Sequence, residues 1–534
     1  MIISSSIRVL NYKYTRQIIL SHLFTTLFFV GSMAQQNIGS WGDQGNGTYI
    51  NPMLNADYSD PDVIRAGEKY YMVCSEFHFM GMPVLESDDL VNWRIISQVY
   101  KKMNFPAYDS CQQYAGGSWA PAIRFHDNKF WIYFCTRNEG LFMSNASDPR
   151  GPWTPLLHIK NIDTWEDPCP FWDENGQAYL GHSLVGAGPI IIHKMSEDGT
   201  RLLDEGVTVY TGPVAEGTKI FKLNGYYYLS IPEGGVGKGW QTVLRSKNIY
   251  GPYEKKVVLE TGSTKINGPH QGALVDTPNG EWWFYHFQSS GPIGRVVHLQ
   301  PAFWQDGWPV IGVDIDRNGI GEPVYVWEKP DVGKSFPIDA PSTNDDFKST
   351  YLGLQWEWNH NPVDNSWSLT DRPGWLNLKA LKADGFMKAR NTLTQKVMGA
   401  KSQAVIELDV SQLEEGQKAG LCSMSNIYNL VGIHKKTDGI YLFVDKNNKN
   451  FSEERISCKR IFLKVQLDIQ TNKNQFSYSL DDKTFTPVGD IFETTWGFWK
   501  GTRIGLFSYN ELADRGTASF NSFTYDYDGP KSNF

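Results

Sequence analysis

Between residues 49 and 328 the hydrophobic positions fall into short, aromatic-rich runs with scarcely any helical period. Five runs stand out: Tyr70-Tyr71-Met72-Val73, Phe130-Trp131-Ile132-Tyr133, Ala178-Tyr179-Leu180, Tyr226-Tyr227-Tyr228-Leu229 and Trp282-Trp283-Phe284-Tyr285. Aromatic and β-branched residues in runs of this length, closed by turn residues, predict strands. Counted from their first residues, successive runs lie 60, 48, 48 and 56 residues apart. A strand signal returning at that interval predicts a β-propeller with one blade per repeat, hence five blades. Three turn phrases recur between the runs: Ser87 to Trp93, Ser144 to Trp153 and Ser246 to Tyr253. Each passes from a serine through a short polar turn to an aromatic, as expected where corresponding hairpins close corresponding blades.

The pattern changes after residue 328. Residues 329–344 are rich in Pro, Gly and charge and read as a linker. From Asp345 strand-like runs resume without the turn phrases, as in Ala404 to Leu408, Ile440 to Val444 and Phe462 to Leu467. Alternation and Gly/Asn turns there predict a β-sandwich over residues 345–534. The whole chain is therefore expected to be all-β.

Composition narrows the function classes. Apolar residues at 41% support a proper core, and aromatics reach 14%, with 19 Trp and 26 Tyr. Most of these are sheet filler, but an amphipathic aromatic also makes a flat platform for a sugar ring. The net charge is −8 and no run of Lys or Arg occurs, so nucleic-acid binding has no electrostatic footprint. A neutral, hydroxyl-rich ligand suits such a surface. At the N-terminus, Arg8, Lys13 and Arg16 precede a mostly apolar stretch from Ile18 to Val30, and Ser32-Met33-Ala34 follows. That order predicts a signal peptide over residues 1–34 and export to the periplasm or the medium. The apolar stretch is shorter than the roughly 20 residues that span a bilayer, so no membrane attachment is expected after its removal. The six cysteines show no zinc-type spacing, and no metal ligand set is assigned from them.

The chemistry comes from phase. Asp60, Trp119, Asp167, Glu216 and His270 stand 10, 11, 11, 10 and 12 residues before the reference positions of the five runs. In a propeller, equivalent positions on innermost strands point at one axis, so three carboxylates, a Trp and a His would converge on one pocket. Asp60 and Asp167 each precede a proline or lie beside one, and an aspartate there is often only a turn former. Turn formation does not require a shared phase, however. Hydrolysis of a glycosidic bond needs one carboxylic acid to protonate the leaving oxygen and one carboxylate acting from the opposite side. Acids on different blades suit the wider separation, about 6.5–9.5 Å, that leaves room for an attacking water. A third carboxylate between them would raise the acid's pKa by like-charge repulsion.

At these residues the chain resembles glycoside hydrolase family 43 in its two-domain form, typified by β-xylosidases and α-L-arabinofuranosidases. The matching stretches are Asn51-Pro52-Met53-Leu54, Ser59-Asp60-Pro61-Asp62, Ser118-Trp119-Ala120-Pro121, Glu166-Asp167-Pro168, Ala215-Glu216-Gly217, Gly268-Pro269-His270-Gln271-Gly272 and Gly294-Arg295. Gln355 to Pro362 and Arg372-Pro373-Gly374 are similar to the concanavalin-like sandwich appended in such enzymes. The resemblance covers about residues 49–530. It implies a single-displacement, inverting exo-glycosidase that removes terminal pentoses from hemicellulose such as arabinoxylan. Asp60 would be the general base, Glu216 the general acid, and Asp167 the group that tunes and orients Glu216. Arg295 would hydrogen-bond the sugar, His270 would lie beneath it, and Phe77 and Trp119 would wall it. The expected partner is an oligosaccharide or polysaccharide. No cofactor is required, although family analogy leaves room for a structural calcium ion in the axial channel near His270. Two stretches depart from the family pattern: Glu216-Gly217-Thr218-Lys219 stands where Glu-Gly-Pro-His is common, and the loop Glu76 to Gly81 differs from the usual xylosidase form. Both bear on the leaving-group side, so xylose and arabinofuranose remain open. The competing readings are a non-catalytic glycan-binding propeller and a scaffold that uses the propeller rim. Neither has need of three acids in matching phase.

Overall fold

In the computed structural model, which describes residues 39–532, each of the five aromatic runs lies on the second strand of a four-stranded antiparallel sheet. The signal peptide expected at residues 1–34 lies outside the described residues. Blade 1 is built from Asp62–Ala66, Lys69–Val73, Pro83–Ser87 and Trp93–Gln98, and blade 2 from Trp119–His126, Lys129–Thr136, Gly140–Ala146 and Leu157–Lys160. Blade 3 comprises Trp165–Trp172, Ala178–Leu184, Ile190–Met195 and Val207–Tyr210. Blade 4 comprises Lys219–Leu223, Tyr226–Glu233, Trp240–Ser246 and Glu254–Leu259, and blade 5 Leu274–Asp276, Trp282–Ser289, Arg295–Gln305 and Trp308–Ile311. First strands of blades 1 and 2, 2 and 3, 3 and 4, and 5 and 1 touch, so they line the axis of a closed ring.

The second strands are apolar almost throughout because both of their faces are covered. In Lys129–Thr136 every residue after Lys129 is buried. This is the continuous-run signature of a strand enclosed on two sides, rather than the alternation of a half-exposed one. Three of the interfaces between blades have hydrophobic clusters of their own. Trp131, Tyr133, Leu141, Leu180 and Met195 fill the space between blades 2 and 3. Ile190, Ile192, Ile220, Leu229 and Leu244 fill that between blades 3 and 4. Tyr228, Val243, Leu259, Phe284 and Ile311 do so between blades 4 and 5. Full burial of each such side chain contributes about 1.5–3 kcal/mol. The recurrent turn phrases join third to fourth strands in blades 1, 2 and 4.

The stretch before blade 1 fastens the end of the ring. Leu54 bridges Val297 of blade 5. The Asn51 amide donates to the carbonyls of Leu299 and Val324 at 2.8 Å each and accepts the Leu299 N–H at 2.9 Å. Residues 329–343 form no strand and are pinned along the propeller. Lys329 reaches Asp43 and Asp89 at 2.5 and 2.7 Å, and the Asp339 N–H donates to Asn92 at 2.9 Å.

The C-terminal part is a two-sheet sandwich. One sheet runs in the order Trp367–Ser368, Leu376–Lys379, Thr517–Tyr527, Lys401–Asp409, Arg460–Asp468, Lys473–Ser479 and Thr486–Glu493. Here alternation is plain: Ile461, Leu463, Val465 and Leu467 are buried while the residues between them are more exposed. The other sheet runs Lys449–Ile456, Gly439–Lys446, Tyr428–Lys436, Gln417–Met424, Arg503–Asn510, Leu393–Lys396 and Glu357–Asn359. Its edge is completed by Phe79–Met80, an excursion of blade 1, with Trp358 opposite Met80 and Asn359 opposite Phe79. One core cluster accordingly runs without interruption from Tyr70 and Met72 in blade 1 to Leu393 and Ile406 in the sandwich.

Candidate active site

The polypeptide delivers its functional side chains just before or at the start of the first strands. Asp60 precedes Asp62–Ala66, Trp119 begins Trp119–His126, and Asp167 is third in Trp165–Trp172. Glu216 precedes Lys219–Leu223, and His270 precedes Leu274–Asp276. Because those strands surround the axis, their starts meet at one mouth of the ring. A cavity of about 370 Å³ opens there, and Asp60, Phe77, Trp119, Asp167, Glu216, His270 and Arg295 all line it. Asp60, Phe77, Asp167 and Gln271 adopt left-handed backbone, with φ of 54°, 51°, 58° and 47°. Non-glycine residues held so cluster where the surrounding fold over-determines the geometry.

Asp60 is held from two sides. Arg295 Nη1 donates to Oδ1 at 2.7 Å and Ser75 Oγ to Oδ2 at 2.5 Å. Ser75 Oγ in turn accepts the Ala120 N–H at 2.6 Å, which fixes the direction of its own proton toward Asp60. The Arg295 guanidinium lies over the Phe287 ring, 4.5 Å from its centroid, and near Trp499. Besides its bond to Asp60, Arg295 lines the cavity in which the sugar is expected.

Asp167 lies one blade from Glu216. Its Oδ2 accepts the Gly217 N–H at 2.6 Å and its Oδ1 accepts Gln271 Nε2 at 2.9 Å. Gly217 has φ of +61°, and a Cβ there would press on Pro232 and Gln271. The site therefore needs glycine next to Glu216. Burial and the neighbouring Glu216 push the Asp167 carboxyl up to about 6; the Gly217 N–H and the Lys219 ammonium pull the other way. Glu216 Oε1 lies 2.7 Å from His270 Nε2, so the histidine orients this carboxylate directly.

The adjacent Glu166 also lines the cavity. It accepts the Ala187 N–H at 3.1 Å, and burial with the charges of Asp167 and Glu216 pushes it up to about 9. Oxygens of Glu166, Asp167 and Glu216 lie within 4.8 Å of one another. Three carboxylates so close cannot all ionise near neutral pH, so the cluster keeps protons available. Calcium takes six to eight oxygens. This cluster offers one from each of three residues, and both Asp167 oxygens already accept N–H donors. These three carboxylates by themselves do not complete a calcium shell, and the chemistry proposed for the site uses no metal.

Phe77 and Trp119 meet edge to face, with centroids 5.5 Å apart at 72°. Trp499, from the sandwich, lies 6.0 Å from Trp119 and completes this aromatic wall. Sequence reasoning did not single out Trp499, Gln271, Arg137 or Glu166, which line the cavity, or Ser75, which holds Asp60. Gln271 and Glu166 stand beside residues that it had selected, and their adjacency was a usable signal. Trp499 and Ser75 carry no repeat phase, and nothing in the sequence marks them.

The family model "Glycosyl hydrolases family 43" matches residues 49–309. "Beta xylosidase C-terminal Concanavalin A-like domain" matches residues 344–526. A protein of Xylanibacter ruminicola named "Putative beta-xylosidase" is 56% identical over 467 residues, covering 87% of each chain. One of Formosa agariphila named "Beta-xylosidase" is 39% identical and covers 94% of each. Among solved structures, the GH43 BlXynB protein from Bacillus licheniformis superposes with a TM-score of 0.79 at 28% identity, over 90% of this chain and 99% of that one.

Proposed function

The chain belongs to glycosyl hydrolase family 43 and is a glycoside hydrolase, and from that premise we propose an exported, exo-acting β-xylosidase that works by inversion. The observation that carries the reading is the pairing of two differently held acids in one aromatic-walled cavity. Asp60 is clamped by Arg295 and Ser75, and Glu216 Oε1 lies 2.7 Å from His270 Nε2. Asp60 enters blade 1 and Glu216 blade 4, with blade 5 between them.

Asp60 acts as the general base. Arg295 and Ser75 orient its carboxylate so that it takes a proton from a water attacking the anomeric carbon. Glu216 acts as the general acid and passes its proton to the leaving glycosidic oxygen, held in position by His270. Asp167 supports this by standing beside Glu216 and by holding the Gly217 N–H at 2.6 Å, which fixes the backbone that carries the acid. Phe77, Trp119 and Trp499 present flat apolar faces to the terminal sugar, and Trp499 narrows the mouth so that a chain end enters more readily than a chain middle. A xylosyl substrate is favoured over an arabinofuranosyl one by the names that the two relatives carry. No cofactor enters this chemistry. Export is proposed from residues 1–34; among the described residues no helix is long and apolar enough to cross a membrane.

The test is the anomer first released from a β-1,4-xylo-oligosaccharide, followed by proton NMR with Asp60→Asn alongside. α-Xylose formed first, and lost in the variant, is the expected result. β-Xylose formed first would overturn inversion, and arabinose released from arabinoxylan with no xylose from xylobiose would overturn the substrate.

A further inference from the structure

Six ionisable side chains are sealed between the propeller and the sandwich, three of each sign. Asp57 and Glu76 come from the propeller, and Glu357, Lys396, Lys500 and Arg503 from the sandwich; none is more than 7% exposed. Glu76 meets Lys396 at 2.5 Å and Arg503 at 2.7 Å, while Glu357 meets Lys396 at 3.0 Å and also pairs with Arg503. Lys500 stands at the end of this network nearest the active site. Its ammonium lies 3.3 Å from Asp57 Oδ2 and 3.4 Å from Glu76 Oε2, donates to the Ser75 carbonyl at 3.1 Å and faces the Phe77 ring at 5.6 Å.

Two of the propeller residues that Lys500 grips bear on Asp60: Ser75 is one of its two donors, and Asp57 anchors the other. Ser75 supplies the hydroxyl on Asp60 Oδ2. Asp57 Oδ1 accepts the backbone N–H of Arg295 at 2.9 Å, and the Arg295 side chain holds Asp60 Oδ1. The Asp57 carboxylate is fastened from the other side by the Gly501 N–H at 2.9 Å, and the Thr502 N–H binds the Pro292 carbonyl at 2.7 Å. Burial alone would raise the Asp57 carboxyl; Lys500, Arg503 and the N–H groups of Arg295 and Gly501 outweigh it and hold the group below its ordinary value.

We propose that Lys500, contributed by the sandwich, is a positioning residue for the general base: through Ser75 and Asp57 it fixes both groups that orient the Asp60 carboxylate. The sandwich is then part of the base's scaffold, besides walling the cavity with Trp499. The proposal rests on the reading of Asp60 as general base.

The experiment is a double-mutant cycle on the full chain, with kcat and KM measured on xylobiose and an aryl xyloside. Lys500→Met is expected to lower kcat by about 10- to 100-fold with KM changed less than about twofold, since a small misplacement of a catalytic group acts on turnover. Ser75→Ala, a smaller perturbation, is expected to behave alike, and Lys500→Arg to recover part of the loss. In an Asp60→Asn background neither change should cost further activity, because non-additivity is the mark of residues acting as one unit. Losses that multiply with Asp60→Asn, or a wild-type kcat in folded Lys500→Met, would overturn the proposal. Should Lys500→Met fail to fold, Ser75→Ala decides: wild-type kcat there overturns it equally. An Asp60→Asn enzyme of full activity would instead remove the base reading itself, which distinguishes the two failures.

Discussion

Replacing Asp167 by Asn should make the enzyme more stable at alkaline pH while disabling it. The carboxyl stands at about 6 in the fold against 3.8 for the free side chain, chiefly because it is buried and Glu216 is beside it. An acid whose pKa is raised by folding binds its proton more tightly in the native state. Stability is therefore greatest below about pH 4, falls as pH rises to about 6, and is flat beyond. A rise of about two pH units at 1.36 kcal/mol each amounts to about 3 kcal/mol at pH 8. Asn has the shape of the neutral acid, and its carbonyl can still accept the Gly217 N–H that Asp167 accepts at 2.6 Å. The variant should thus gain about 3 kcal/mol at pH 8 and nothing at pH 4, which for a chain of roughly 500 residues is a Tm increase of about 3 °C. Urea unfolding followed by tryptophan fluorescence at pH 4, 6 and 8 measures the difference. Xylose release should fall about 100-fold or more at pH 8, where Asp167 is charged and its loss removes a charged neighbour of the acid, and much less at pH 4, where the carboxyl is already protonated. A stability difference independent of pH, or a variant less stable at pH 8, would refute the electrostatic account.

Glu216→Gln should lose about 10²–10⁴ in kcat on xylobiose, whose leaving group needs a proton, and far less on a dinitrophenyl xyloside; equal losses on both substrates would count against its role as the acid. Arg503→Met leaves Glu76 and Glu357 short of one cation in a sealed interface. It should destabilise by about 3–5 kcal/mol in urea unfolding, and an unchanged midpoint would show the network to be dispensable. Gly117 has φ of +73°, and a Cβ there would run into the Phe77 carbonyl. Gly117→Ala should cost about 1–3 kcal/mol of stability and raise KM by displacing the Phe77 wall, as steady-state kinetics would show.

The second strands were legible because covering both faces of a strand demands an unbroken apolar run, and a run repeated five times leaves a periodic trace. The shared phase of Asp60, Trp119, Asp167, Glu216 and His270 was legible for a related reason: each blade repeats the same connection into its first strand, so equal offsets in sequence become equal positions around an axis. Their partners were not. That Arg295 serves Asp60 and His270 serves Glu216 depends on which side chains face each other across the cavity, and residue type alone is silent on it. Nor did the sequence mark Phe79–Met80 as an edge strand of the sandwich, because a two-residue strand has no period to detect. Lys500 and Ser75 lie 425 residues apart, and Trp499 and Trp119 meet across the same seam. Local backbone preference and burial pattern thus determined the elements, the repeat and the selection of acids. The tertiary structure alone decided the pairing of charges at the domain seam, because a buried charge is stable only beside its counter-charge and that neighbour is supplied by packing.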